Sequence, residues 1–560
     1  MHNRIIFKNI VLLTIPLLFV GICNFAYSQD DKLSKEVQVV RPYEPTISDA
    51  FKLNQLPLVK DTARIVPTFA YNLTARPVKL DLPVKPIPAA RMVAEPLSRV
   101  SKGYVKAGFG NYVSPLAEVY FANERSEEYS YGGWVKHRSS FGDIKLDNDD
   151  KADASFQKNR IGLFGKKIFD KSVLSGEGNF SSHSYSFYGY DTTSNYAPQP
   201  DAPKEQLQQI LDVSASFYST HSDSAHLNYN LSTRFASITD KHSMQQSTFV
   251  LKSNFDRYFN VEKFGGDIAF THHMSSDNLG AGNSSIIGVA PWIGLFGKQW
   301  RVKAGINATF DINSIEKQYH FYPVGQISFD IVSNYVIPYF QFDGYIEDNS
   351  YAKILFENPW VEPGLNVWNT SHKFIMKGGV KGNFSPKVAY NLSASFSLVD
   401  SAYFYVNTPN VTDGFLENRF IVEHDNIRLR TFQGELTMAP TNSIKLFLQG
   451  EYNIYTMNFI EKPWHKPLFA GRFTASYTIQ DKILLKANFF IEGERYIKSS
   501  DGTPQKIDGI ADVNLGIEYR YTSRVSAFLD LNNLTGNRYH LWYLYPAQQF
   551  NMMLGLTYAF

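Results

Sequence analysis

From Tyr104 to the end of the chain, apolar and polar residues alternate with a period of two. Val513, Leu515, Ile517, Tyr519 and Tyr521 fall on one side, and Asn514, Gly516, Glu518 and Arg520 fall on the other. Phe469 to Ile479 and Ile483 to Glu494 repeat the pattern, with Leu484 and Phe490 as exceptions in the second. An extended strand sends successive side chains to opposite faces, so each such segment has one oily face and one wet face. A helix would need a period near 3.6, and the alternation excludes that over most of the chain. What remains to be settled is where the oily faces go.

The connections carry that information. Tight polar turns fall at Asp170-Lys171, Ser222-Asp223, Ser333-Asn334, Ser385-Pro386, Thr441-Asn442, Gln480-Asp481 and Ser523-Arg524. Longer links fall between them, at 189–205, 348–370, 403–425 and 536–547. Short turns at one end and long loops at the other are the signature of an outer-membrane barrel. The expected fold is all-β: a transmembrane antiparallel β-barrel of about 22 strands over residues 101–560, with an extended arm before it. Stacked sandwiches or a propeller would instead turn the oily faces inward. No repeat of fixed period supports a propeller. Tyr519 and Tyr521 stand directly before a turn, where a membrane-interface girdle wants aromatic rings. Between Ile427 and Met438 the alternation slips phase around Phe432, which predicts a bulge or a rim above the bilayer.

Two segments precede the alternation. His2, Arg4 and Lys8 form a basic start, Ile10 to Ile22 an apolar run, and Ala26-Tyr27-Ser28 a small-x-small cleavage pattern. Residues 1–28 therefore read as a secretory signal peptide. Cleavage there removes Cys23, the single cysteine, and with it any disulfide or thiolate metal site. Residues 29–100 hold nine of the 26 prolines. Proline fixes φ and removes a donor, so neither a helix nor a central strand runs through this stretch. It reads as a proline-rich periplasmic or lumenal arm, with Phe51, Phe69 and Tyr71 to pack on something.

Composition removes other classes. A net charge of +2 lacks the basic excess of a nucleic-acid binder. A mean hydropathy of −0.26 excludes a polytopic helical membrane protein. An aromatic content of 15% excludes wholesale disorder. The chain has no G-x-S-x-G, H-E-x-x-H or cysteine pair, so we expect no enzyme, no cofactor and no metal. His272 and His273 are neighbours on a strand and face opposite ways. Asp147, Asn148, Asp149, Asp150 and Asp153 lack the EF-hand spacing and read as a solvated loop. Gly108-Phe109-Gly110 is read as strand packing. Lys486, Arg472, Glu492, Glu518 and Arg520 fall on the wet faces, where mixed signs hydrate a lumen. Trp360 and Trp368 share one long loop, which predicts either a contact surface for a ligand or partner, or packing within the loop cluster.

The C-terminus adds a resemblance. Phe550, Met552, Leu554, Leu556, Tyr558 and Phe560 form an oily face that ends in a terminal Phe. It resembles the segment that the outer-membrane barrel-assembly machinery recognises, and an extended strand can add to an exposed sheet edge. Upstream, Leu531-Asn532-Asn533-Leu534 leads to Asn537-Arg538-Tyr539 and Pro546. This order resembles the C-terminal end of TonB-dependent receptors, whose barrels have 22 strands. Here Thr535 replaces the usual aromatic, and Ala547-Gln548 stands in place of Gly-Arg. The resemblance implies outer-membrane localisation, contact with outer-membrane lipid, and solute transport. Those receptors carry a folded plug, and residues 29–100 are too few and too proline-rich to form one. The chain thus resembles plug-less, receptor-like barrels of Bacteroidetes-type bacteria. Glu36, Val37, Gln38, Val39 and Val40 resemble the short box that engages TonB. A second function fits as well: a non-transporting barrel subunit that anchors an outer-membrane complex, with a surface lipoprotein as partner. In either case so wide a lumen needs a filling. The candidates are the long loops, the arm folded back into the lumen, or a separate protein, and the arm is the expectation.

Overall fold

The structure is a computed structural model that describes residues 101–123, 126–189, 205–221, 226–280, 282–314, 316–409, 418–499 and 501–560. The signal peptide, the arm 29–100 and the pentapeptide Glu36 to Val40 lie outside the described residues.

Twenty-two antiparallel strands form one closed sheet. They are β1 (Gly103–Gly110), β2 (Ser114–Ala122), β3 (Tyr129–Ser140), β4 (Phe156–Ile168), β5 (Ser172–Ser186), β6 (Glu205–Ser219), β7 (Asn228–Asp240), β8 (Gln245–Phe259), β9 (Glu262–Ser275), β10 (Ser284–Phe296) and β11 (Trp300–Ile312). They continue as β12 (Lys317–Phe329), β13 (Ile337–Glu347), β14 (Thr370–Ser385), β15 (Val388–Pro409), β16 (Asn418–Thr441), β17 (Ile444–Thr456), β18 (Phe469–Ile479), β19 (Ile483–Glu492), β20 (Ile510–Arg520), β21 (Val525–Asn532) and β22 (Asn551–Ala559). Each strand pairs with its sequence neighbour, and β1 pairs with β22 from Tyr104↔Ala559 to Gly110↔Met553. No edge is left, which is what a sheet in hydrocarbon requires.

The alternation sorts as the sequence predicts. Leu554, Leu556 and Tyr558 are 60%, 62% and 48% exposed, whereas Met553, Thr557 and Ala559 between them are buried. Exposed aliphatic residues outside and polar ones inside invert the pattern of a soluble protein. They define an apolar belt for lipid. Outward aromatics gather at the short-turn end, with Phe259, Phe264, Phe296, Trp300, Phe329 and Tyr521 all exposed. The turn between β18 and β19 is left-handed: Gln480 and Asp481 have φ of 49° and 55°. Such primed turns match the twist of paired strands.

One detail differs from the sequence reading, and one open alternative is resolved. The stretch 403–425, read as a link, is mostly strand, because β15 and β16 pair from Pro409↔Asn418 down to Val399↔Ile427. Tyr403 and Tyr405 pack into one apolar cluster and Phe404 and Val406 into another. Both faces of this ribbon are covered, so its sequence shows no alternation. Of the two readings of the slip around Phe432, the rim holds and the bulge does not: β16 shifts register against β15 at Val399–Ala402 and against β17 at Met438–Thr441, while Arg428, Arg430 and Phe432 all face outward. The apparent phase slip is the upper limit of the belt, where outward residues change from Phe to Arg.

The belt predicts opposite outcomes for adjacent positions. Val213→Arg, on the outer face at mid-strand, should cost about 2–4 kcal/mol. Ser214→Arg, on the wall of the lumen, should be close to neutral. Unheated gel mobility and urea unfolding in lipid bilayers would measure the difference.

Candidate functional site: a lid across the barrel mouth

The long loops do not stand away from the barrel. The link between β13 and β14 carries the helix α1 (Tyr351–Glu357), with Ser350 as its N-cap accepting from the Lys353 amide. Ser, Asn and Asp favour this position because their oxygen satisfies a free N–H of the first turn. Tyr351, Ile354 and Leu355 are buried. They meet Ile210 and Ile238 of β6 and β7, Tyr403, Tyr405 and Phe420 of the β15–β16 ribbon, and Trp542 and Tyr545 of the last loop. The β6–β7 wall and the β15–β16 wall lie nearly opposite each other in the ring of 22. This cluster therefore crosses the mouth from wall to wall as a lid.

Polar contacts fix it to both sides. On one wall, the Tyr351 hydroxyl donates to Asp240 at 2.9 Å and its amide to Gln246 Oε1 at 2.8 Å. The Tyr185 hydroxyl donates to the Pro359 carbonyl at 2.5 Å, and Trp360 Nε1 donates to the Ser186 carbonyl at 3.2 Å. On the opposite wall, Glu357 accepts from the hydroxyls of Tyr403 and Tyr405 and from Lys466 Nζ. Val361 forms a parallel bridge to Phe420. Trp360 stacks on Tyr545 with ring centroids 4.1 Å apart. Gly189 permits this stack, since a Cβ there would lie 2.6 Å from the Tyr545 ring.

A second cluster braces the outer side of the ribbon. Val399, Ala402, Phe404, Val406, Ile427 and Trp464 form its core. Asp425 is buried there and accepts backbone N–H bonds from Asn458, Phe459 and Ile460. Arg495 is 2% exposed and donates to the carbonyls of His540 and Leu541, which ties two loops together.

Two titratable groups in the lid have displaced pKa values. His465 is pushed down to about 3, chiefly by burial, although its Nδ1 donates to the Tyr405 carbonyl at 2.8 Å. Burial pushes Glu347 up, but hydrogen bonds from His372 and Lys353 outweigh it and hold the carboxyl at about 2.

The residues singled out from sequence separate here. Trp360 is half-buried and packs against the lid core, whereas Trp368 is 60% exposed and stacks on His424 at 5.1 Å. The outward face of β22 carries Leu554, Leu556 and Tyr558, with Phe550 and Phe560 exposed at either end. The Asn-Asn motif acquires a physical role: Asn533, with φ of 47°, donates to the carbonyls of Asn537 and Gln548 and shapes the entry to the last loop. The acidic loop is held by Arg538, which donates to Leu146 O and Asp149 at 2.6 and 2.7 Å. Among the described residues no group of acidic, His or Cys side chains could hold a metal ion. His273 faces inward to Asp348 and His272 contacts Ser285 on another strand, so the pair does not converge. The sequence reading missed α1, although Asn349-Ser350 before an apolar run was its signal.

Fold and lid together define a closed 22-strand barrel with its own loops folded over the mouth. Comparison with solved structures agrees on the fold. The ferric-catecholate import receptor Fiu of Escherichia coli K12 aligns with a TM-score of 0.61 at 10% identity, over 82% of each chain. The siderophore receptor PirA of Acinetobacter baumannii aligns at 0.62 and 11% identity, over 83% of this chain and 81% of that one. The pyoverdine outer membrane receptor FpvA of Pseudomonas aeruginosa PAO1 aligns at 0.60 and 10% identity, over 83% and 79%. No family model matches the sequence, and no curated protein matches it.

The lid should be acid-sensitive through His465. Released from the lid, the imidazole takes a proton near its ordinary 6.5; held in the lid, it stays neutral down to about 3. Lid stability is thus complete above pH 6.5 and falls as pH drops below it. At pH 5 the loss is about 2 kcal/mol by linkage. Glu347 keeps its charge throughout this window and contributes only below its ordinary 4.5. Amide exchange of 351–361, corrected for intrinsic rate, should lose about 30-fold protection between pH 7 and pH 5. His465→Asn should abolish that change.

Proposed function

We propose that this protein is an outer-membrane transport barrel whose long loops form a movable lid over a wide, polar lumen. The observation that carries the reading is the lid itself. An anchor barrel could be filled by inert side chains, whereas this mouth is crossed by an apolar cluster held to opposite walls by a small set of hydrogen bonds. Beneath it, a cavity of about 410 Å³ is walled by Tyr185, Phe356, Trp360 and Tyr539. A larger space of about 910 Å³ lies along the lumen. Concave sites of this size suit small solutes. The shared fold with import receptors supports the same class, and their ligands remain statements about those proteins.

The chain enters β1 beside Phe560, where the Lys102 amide donates to the Phe560 carbonyl at 2.7 Å, at the short-turn end. In barrels of this type that end is periplasmic. The segment containing Glu36 to Val40 is therefore proposed to meet TonB there, and the outward strand ending in Phe560 to serve the assembly machinery.

A second reading has its own support. Phe459 is 82% exposed and Trp368 is 60% exposed, both at the long-loop end. Such aromatics suit a fixed partner such as a surface lipoprotein. Gentle-detergent purification from native outer membranes separates the two, since a stoichiometric partner is expected only under the second reading.

Proteoliposome swelling tests transport. Wild-type protein should pass arabinose slowly. Trp360→Ala removes the stack on Tyr545 and costs the lid about 2 kcal/mol. It should raise the rate at least tenfold. Equal rates would exclude the lid as the gate.

A further inference from the structure

The inner wall of β3 and β4 carries four cations in a square. The register places Lys136 opposite Arg160 and Arg138 opposite Lys158. Like charges directly across a strand pair repel and destabilise the pair. Among the described residues, none of the four has a carboxylate within ion-pairing distance. Lys136 and Arg160 both lie over the Trp134 ring, at 5.3 and 5.4 Å, and Lys158 lies over Phe156 at 5.8 Å. Cation–π contact softens the repulsion, but it leaves the N–H donors unused.

The acids that face this wall are few. Glu118 stands across from Lys136 and accepts from the Tyr104 hydroxyl at 3.4 Å. Asp512 lines the cavity and accepts from the Tyr539 hydroxyl at 2.6 Å. Asp530 feels Arg138 only as a distant charge. Arg138 and Lys158 themselves line the cavity of about 410 Å³ under the lid, whose roof includes Pro359 and Trp360. The square is therefore neither paired nor turned away from the open space. Arg138 and Lys158 point donors and positive charge into the cavity, and Lys136 and Arg160 stand beside them on the same wall. Arginine's planar fork and the lysine ammonium suit carboxylate and phosphate oxygens.

We infer that this wall is the binding site for a small polyanionic solute, of carboxylate or phosphate type, held beneath the lid. The inference deepens the transport reading and rests on it for the solute's passage, but binding is separable from passage. Two strands supply the K-x-R spacing, Lys136 with Arg138 and Lys158 with Arg160, which puts each pair on one strand face.

The test is calorimetry on the purified full-length protein in detergent at low salt, with citrate and pyrophosphate as separate probes. At least one should bind, and the stronger of the two identifies the oxygen class. Arg138→Gln with Lys158→Gln should weaken that binding at least tenfold. Lys166→Gln with Lys252→Gln, which removes two other lumenal cations from the larger cavity, should change it less than twofold. Unheated gel mobility confirms that both double variants are folded. Failure of both probes to bind overturns the inference, and so does equal weakening by the two double variants, which would mean diffuse lumenal charge. Arabinose flux without anion binding removes the anion site and leaves transport. Anion binding without any flux leaves the site and removes transport.

Discussion

A strand edge facing hydrocarbon leaves a row of N–H and C=O groups without partners, at several kcal/mol for each. The pairing of β1 with β22 removes that edge, and the rest of the molecule depends on it. Closure fixes the strand number, the strand number fixes the width of the lumen, and the width creates the need for a lid. It also sets which side chains meet lipid. Once Tyr104 lies opposite Ala559, the period of two places every oily face outward around the ring.

The lid answers a different constraint. It sits above the belt, where its apolar residues cannot turn to lipid and must bury against one another. Tyr351, Ile354, Phe420, Trp542 and Tyr545 do so across the mouth. The hydrogen bonds at its two margins fix position more than they add stability. A single bond is worth about 1 kcal/mol net, and the ion pairs at Glu347 and Glu357 are partly solvated. An apolar cluster with polar pins at its two margins is the arrangement that the proposed movable lid requires.

Much of this was legible in the sequence. The outward residues of β18, β19, β20 and β22 are those that the alternation selects, since a lipid-facing belt imposes one pattern on every strand. The lid was less legible, because its residues come from loops far apart in the chain and carry no shared period. Trp360 and Trp368 sit eight residues apart in one loop, and nothing local tells that the first packs against the lid and the second is exposed. The β15–β16 ribbon misled for a related reason: covered on both faces, it reads as a featureless apolar run. The cation square was hidden in ordinary alternation, and only the register of β3 against β4 shows that its members are neighbours. The expectation that the arm fills the lumen falls on residues outside those described, whereas the loops, its rival, demonstrably meet across the mouth.

Single-channel recording in planar bilayers tests the central claim most directly. Full-length protein should be closed, with brief openings. A variant with residues 349–368 replaced by a short Gly-Ser linker should show persistent large conductance. Indistinguishable traces from the two proteins would contradict the account and move the closure to another part of the chain.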